Sequence, residues 1–464
     1  MMNLKQQIDA GANATAEAGE RMKAAGVKYL QTHMADLNGT FRSKVSPFKL
    51  SKGADPLNAI LYCVSHGDGQ PTGDVAYEAP IASAENGYPN IISLADLSSL
   101  RQHGWDPEMA SIISSGYLLS GEPCELDPRL QLAKVDARLR SLGYEARVAL
   151  EYEFGVFHAD HDLLRQGRYN ELKPWGHSLR NYDLVRSGEF TSFVKEYISR
   201  MDSIGIGVSS FVSEYGFGMY EFALAPKSPV EAADDAVRAK LHLGELCAER
   251  GLIATFMTRF QPPGKESACG AHQHVSLWQD QAPKMLSADG GLSKVGETFL
   301  AGVLNRMRET HLLFRPTINS YRRFDRGAWS PVDVTWGHEN RTAAVRVITT
   351  PTASAARLEH RVSGADVNPY LTLAAILASG AEGIELGLAL SPETVGMAMA
   401  EDRILLQNNL QEAVDDFSAS DFCRSAFGDV FCDHYVLGRR NELDAFQAWK
   451  ASHITDFEWR RYFI

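Results

Sequence analysis

The sequence predicts an α+β protein in two domains, and three observations carry that reading. Several segments, such as Val148 to Phe157 and Met219 to Leu224, alternate apolar and polar side chains with the two-residue period of a half-buried strand. Between them lie helices with legible starts: Asp127-Pro128, Ser228-Pro229 and Asn368-Pro369 each put a capping side chain before a proline suited to the first helical turn. The chain has 464 residues, more than the roughly 100–200 of one ordinary domain.

Composition narrows the class further. With 44% hydrophobic and 22% charged residues the chain is globular, neither disordered nor fibrous. A net charge of -12 disfavours nucleic acid and anionic membrane as partners, since both require a positive face. The 6 cysteines are scattered with no CxxC pair, which reads as a reduced cytoplasmic protein. No signal-peptide core stands at the N-terminus, and Leu371 to Leu390 carries Glu382 and Glu385, so it reads as a core helix and not a membrane span.

Taken in order, residues 5–24 read as a polar leading helix and Val27 to Asp36 as a strand. Asn38-Gly39 then predicts a hairpin with a two-residue turn, and Thr40 to Val45 runs back beside the first strand. Asp36 thereby falls near the hairpin tip. Ser65 to Gly87 is dense in Gly, Asp and Pro and reads as loop, with extended segments up to about Leu119. The short Gly/Pro/Glu stretch Ser120 to Leu126 divides an N-terminal domain, 1–126, from a second domain, 127–464. Asp127 caps a helix that should stop at Gly143. Ser228 and Glu231 have the spacing of a capping box, opening a helix that ends near Arg250-Gly251. Asn368 opens an apolar helix through Leu386.

The alternating strands carry the chemistry. Val148, Leu150, Tyr152, Phe154 and Val156 share one face of a strand, which puts Glu151 and Glu153 together on the other, about 7 Å apart. Alone, such a pair is as readily a solvated face as a site. The pattern recurs, however: Glu221 alternates with Tyr220, Phe222 and Leu224, and Glu214 lies upstream across Gly216-Phe217-Gly218. His272 and His274 share a face, and Arg357, Glu359 and Arg361 oppose Leu358, His360 and Val362. Together these strands predict one polar floor. Its carboxylates, minority histidine and lack of thiolate select a hard divalent cation, Mg²⁺ or Mn²⁺. Arg322, Arg323, Arg326, Arg341, Arg346, Arg357 and Arg361 lie nearby in sequence, and arginines beside metal carboxylates suit phosphoryl transfer. The stretch Pro263 to Ser267 is no P-loop, because Arg259 stands where its leading glycine belongs.

These residues carry a resemblance. Glu151-Tyr152-Glu153-Phe154, Glu214 through Glu221, Gly270 to Ser276, Asn340 to Arg346, Arg357 to Arg361 and Asn368-Pro369-Tyr370 resemble, in order and spacing, the glutamine synthetase superfamily. The resemblance implies a small N-terminal β-grasp-like domain and a large catalytic domain with a curved antiparallel sheet flanked by helices. It implies that Glu153, Glu214 and Glu221 hold a metal near glutamate, and that Glu151, His272 and Glu359 hold one near the ATP phosphates, with two or three cations per site. Arg323 and Arg361 look like the grips on glutamate carboxylates, and Arg341, Arg346 and Arg357 like groups facing phosphate, with His274 beside them. Asp36 resembles the aspartate that reaches an adjacent subunit's site and deprotonates the nitrogen nucleophile. Members assemble as homo-oligomeric rings, commonly dodecamers with shared sites.

Departures from the family pattern choose the substrate. Val212-Ser213 precedes Glu214 where a histidine is usual, and Ser267-Ala268 replaces an Asn-Gly, which alters the contact of Ala268 with the glutamate amino group. Aligning Gly327 and Pro331 puts Trp329 where ammonia-using members have a glutamate. That glutamate binds ammonium and removes its proton, a role an indole cannot replace. The resemblance therefore implies an ATP-dependent ligase joining glutamate to an organic amine through γ-glutamyl phosphate, with Trp329 lining the amine pocket. An alkylamine, with a pKa near about 10.4, needs a base, and Asp36 is the candidate. The competing expectations are an ammonia-using glutamine synthetase and a catalytically silent structural or regulatory relative.

Overall fold

The strands form where the sequence alternates, in a computed structural model that describes residues 4–50, 54–66, 74–176, 182, 188–261, 268–288, 290–323, 329–349, 352–398 and 404–463. Arg326, Gly327, Ser267 and most of the rejected P-loop stretch lie outside the described residues.

Helix α1 (Leu4–Ala24) precedes strands β1 (Tyr29–Ala35), β2 (Phe41–Pro47), β3 (Ala54–Asn58), β4 (Val64–His66), β5 (Asp74–Ala76), β6 (Asn90–Gln102) and β7 (Met109–Tyr117). Five of these make a mixed sheet in the order β2-β1-β7-β6-β3, with β1 parallel to β7 and the other pairs antiparallel. The hairpin turn differs from the expected two residues. Asp36 N donates to Thr40 O at 3.0 Å and Gly39 takes φ +76°, so three residues bridge the strands and the glycine supplies the left-handed position.

The second sheet is larger. It follows helix α2 (Pro128–Ser141) and is built from β8 (Glu145–His158), β9 (Val208–Ser213), β10 (Met219–Leu224), β11 (Leu252–Thr255), β12 (Ala271–Gln279), β13 (Ala282–Pro283), β14 (Trp336–His338), β15 (Val345–Ile348) and β16 (Arg357–His360). The order is β14-β15-β16-β12-β8-β10-β9, with β11 on β8 and β13 on β12, antiparallel except for β14 beside β15. The intervening helices are α3 (His161–Arg165), α4 (Gly188–Ser203), α5 (Pro229–Glu249) and α6 (Lys294–Phe314). They are followed by α7 (Pro369–Leu386), α8 (Leu410–Ser418), α9 (Asp421–Phe427), α10 (Asp429–Ser452) and α11 (Asp456–Tyr462). This is an α+β fold with a curled antiparallel sheet flanked by helices.

One face of β8 explains the sheet's position. Val148, Leu150, Tyr152, Phe154 and Val156 are fully buried, with α5 and α2 packed on that strand. Each such side chain contributes about 1.5–3 kcal/mol by leaving water, which forces Glu151 and Glu153 onto the opposite face. The helix starts follow the capping residues. Asp127 accepts from Leu130 N, and Asn368 accepts from Tyr370 N and Leu371 N. Ser228 departs from expectation: it precedes α5, but its hydroxyl donates to the Glu231 carboxylate and caps no backbone N–H, so the capping box is absent. The stretch before Asp127 is a packed junction. Cys124 and Leu126 are buried, and Asp127 Oδ2 accepts from Gly116 N at 2.6 Å and Tyr62 Oη at 3.1 Å. A single core runs from Met34 across this junction to Val436. Among the described residues no helix is long and apolar enough to cross a membrane.

Candidate active site

Strand register assembles the polar floor. Glu221 on β10 faces Glu153 on β8, Glu151 on β8 faces His272 on β12, His274 faces Glu359 on β16, and Glu359 faces Arg346 on β15. Glu214 joins them from the end of β9, its backbone N–H held by Met219 O at 2.9 Å. Sites more than 200 residues apart in sequence are thus neighbours on one surface.

The floor has two halves of different electrostatics. In the first, burial would raise the Glu359 carboxyl, but Arg361, His272 and His274 overcome it and hold it down at about 2. Arg346 Nη1 donates to Glu359 Oε2 at 3.1 Å, and Arg361 pairs with Oε1. Glu151 is likewise held well below the carboxylate range, because the two histidines outweigh its burial. In the second half the carboxylates repel one another. Burial, then repulsion from Glu153 and Glu151, lifts Glu214 to about 7. Burial, then repulsion from Glu151, Glu153, Glu214 and Glu359, lifts Glu221 to about 9. Glu153 Oε2 accepts from Gly270 N at 2.6 Å.

The donors present fit divalent cations. Ligand atoms of Glu151, His274 and Glu359 lie within 4.8 Å of one another. His272 Nδ1 stands 3.5 Å from an oxygen of both Glu151 and Glu359, close to the roughly 3 Å spacing of neighbouring ligands around a cation held at about 2.1 Å. Nε2 of His272 is buried without a hydrogen-bond partner among the described residues. Tautomers separate the two rings. Arg357 Nε donates to His274 Nδ1 at 3.1 Å, so the proton of a neutral His274 sits on Nε2, facing Glu151 Oε1 at 3.0 Å. Among the described residues no arginine donates to His272, which keeps a lone pair to give.

The arginines divide by contact. Arg323 is buried, with Nη1 donating to the carbonyls of Arg361 at 3.0 Å and Ser363 at 2.9 Å, while its Nε has no partner among the described residues. A Cβ on Gly270 would stand 2.6 Å from Arg323 Nη2, so only glycine admits the guanidinium beside Glu153. Arg361 Nε donates to Arg341 O at 3.1 Å. The Arg341 side chain is exposed and lies in the field of Tyr182, which stands among Glu214, Glu221 and Glu151. Arg322 is not on the floor; it lines a groove with Asn408 and Phe446. Ala268 is partly buried two residues before Gly270 and offers no polar side chain. Trp329 is 61% exposed at the edge of the described segment.

Asp36 lies at the hairpin, as its place in the sequence predicts, with its carboxylate engaged locally. It is 1% exposed, Oδ1 accepts from Asn38 N and Thr40 N at 2.9 Å, and Oδ2 accepts from Arg42 Nε at 2.8 Å. These bonds hold the carboxylate inside its own hairpin. Two residues that sequence reasoning missed also belong here. Tyr182, at φ +56°, sits in a stretch without alternation, and Glu339, at φ +53°, accepts from Arg346 Nε at 3.1 Å. Neither carries a periodic signal.

Comparison with known proteins agrees with this geometry. A family model described as "Glutamine synthetase, catalytic domain" matches residues 125–462. The chain is 35% identical over 385 residues to a glutamate–isopropylamine ligase of Pseudomonas sp, covering 82% of each. It is 33% identical over 383 residues to a γ-glutamylethanolamide synthetase of Streptomyces coelicolor, covering 82% of this chain and 81% of that one. The solved structure of a GmaS/ADP complex superposes with a TM-score of 0.80 at 23% identity, over 96% of this chain and 99% of that one, which shows the shared fold. With the family model spanning most of the sequence and the acid-histidine-arginine floor formed on its strands, the chain belongs to the glutamine synthetase family.

Proposed function

We propose that this chain is an ATP-dependent glutamate–amine ligase, forming a γ-glutamylamide, ADP and phosphate. Trp329 carries the choice of amine: in this reading its exposed indole lines the amine pocket, where it can embrace an organic group but cannot take a proton from ammonium. The similarity to ligases named for isopropylamine and ethanolamide products supports the same choice.

In the reaction, an oxygen of the glutamate side chain attacks the γ-phosphorus of ATP, giving γ-glutamyl phosphate and ADP. The amine then adds to the acyl carbon, loses a proton, and phosphate leaves. Arg323, whose Nε has no partner among the described residues, and Arg361 bind the glutamate carboxylates. Arg341, Arg346 and Arg357 face the phosphates and steady their charge, with His274 fixed against Arg357. Glu153, Glu214 and Glu221 would hold one divalent cation and Glu151, His272 and Glu359 another, Mg²⁺ or Mn²⁺. Bound there, the cations screen phosphate charge and polarise the transferring group.

The chain assembles as a homo-oligomeric ring, with a dodecamer as the family's common form. Phe457, Trp459, Tyr462 and Phe463 near the C-terminus are all exposed, which supports association. The 6 cysteines are free and buried, which fits a reducing, cytoplasmic setting. The division near residue 126 separates the sheet-forming N-terminal part from the catalytic part.

The test is ADP release with glutamate and Mg²⁺ or Mn²⁺ across ammonia, methylamine, isopropylamine, ethanolamine, putrescine and aniline. We expect an organic amine to exceed ammonia in kcat/KM. Equal or better turnover with ammonia sinks the organic-amine reading, and no ADP with any amine supports a silent relative.

A further inference from the structure

Arg315, at the end of α6, is 0% exposed, yet the reaction just described gives it no task. It lies outside the floor, and its contacts join two segments that matter. Nη2 donates to Pro331 O at 2.9 Å and reaches Ser330 Oγ at 3.4 Å, while Nε donates to Val362 O at 3.2 Å. Ser330 and Pro331 follow Trp329 directly. Val362 follows Arg361, and its carbonyl is shared with Arg323 Nη1 at 3.4 Å. One planar guanidinium therefore ties the backbone after the indole to the backbone after a glutamate-gripping arginine. A fork with fixed donor directions sets that spacing more rigidly than a lysine or an apolar side chain can.

The surroundings fit positioning rather than general support. Among the described residues Arg323 is a cation in its field, and Tyr321 and Asp366 are acidic groups in it. Asp366 is already engaged by Thr258, Thr317 and Ser320 at 2.6–2.7 Å. A fully buried guanidinium is expensive to desolvate, and packing alone would be met by an apolar side chain of similar volume. On the other side, Arg439 Nη1 donates to Pro316 O at 3.0 Å, which fixes the residue after Arg315 and anchors the device in α10.

We propose that Arg315 is the positioning residue for amine selection: by clamping Pro331 and Ser330 to Val362 it holds Trp329 beside the glutamate grips. This rests on the reading of Trp329 as the amine-pocket wall. It makes amine affinity, and not ATP affinity, the quantity that Arg315 controls.

The experiment is a double-mutant cycle in the full-length protein, reading ADP release with the fastest amine of the panel above, and KM for amine, ATP and glutamate separately. Arg315→Met is expected to raise the amine KM about fivefold or more, with the ATP KM changed less than about twofold, and Arg315→Lys to recover part of the loss. In a Trp329→Ala background the same Arg315→Met change is expected to move the amine KM less than about twofold, because the two residues act as one unit. Equal losses in both backgrounds, or a parallel rise in ATP KM, overturn the proposal. If Arg315→Met does not fold, the cycle is run with Arg315→Lys, and additivity there has the same force. If Trp329→Ala leaves amine preference unchanged, or no amine turns over, the pocket reading itself fails; if Trp329→Ala shifts the preference while the cycle is additive, only the role of Arg315 fails.

Discussion

In the proposed reaction Trp329 sets the amine through what an indole lacks. It offers one donor and no basic group to take the proton of ammonium, whereas an alkyl or aryl group gains an apolar wall. Trp329→Glu is therefore expected to raise the ammonia-to-amine ratio of kcat/KM by about tenfold or more, since a restored carboxylate would both bind ammonium and remove its proton. An unchanged ratio in steady-state assays places Trp329 outside the pocket. At this scale the sequence was legible wherever a strand alternates: Glu151, Glu153, Glu221, His272 and Glu359 stand on the face their spacing predicts. It was silent on donors. Only the contact of Arg357 with His274 Nδ1 separates the two histidines, and only the hairpin's own N–H groups and Arg42 show that the Asp36 carboxylate is engaged locally.

Helix starts give the contrast at the level of elements. Asn368 accepts two backbone N–H groups at the head of α7 and also donates to Asp36 O at 3.0 Å, tying the hairpin to the catalytic sheet's neighbourhood. Ser228 stands at the head of α5 without accepting any, its hydroxyl turned to Glu231. Asn368→Ala is expected to destabilise by about 1–2 kcal/mol, losing a cap and a buried bond between segments. Ser228→Ala should stay within about 0.5 kcal/mol, as an exposed contact does. Urea unfolding of both variants measures the difference, and equal costs would mean that Ser228 caps its helix in solution. Both helices were legible from proline and a capping residue type. Whether the side chain bends to the backbone or to a nearby carboxylate is a competition that residue types alone do not decide.

Across the whole molecule, the acidic floor stores repulsion that a cation would relieve. Glu214 and Glu221 titrate at about 7 and about 9, raised first by burial and then by neighbouring carboxylates. These folded values lie above the unfolded value of about 4.3, so the groups favour the folded state fully below that pH. Their contribution is lost as pH rises through about 7 and then about 9. Metal-free protein should thus lose thermal stability between about pH 6 and pH 9, and Mg²⁺ or Mn²⁺ should raise Tm more at the upper end than at the lower. Equal Tm gains at both ends in thermal melts would show that the floor is compensated without a cation. The sequence by itself determined the class of fold, the strand faces and the types of group on them, because a two-residue period and a capping pair are local and can be read within a few positions. Only the tertiary structure decided which faces meet. It set Asp36 against Asn368, 332 residues away, and laid Arg315 between Pro331 and Val362. Contacts at such separations arise from burial and register over the whole chain, which no local pattern records.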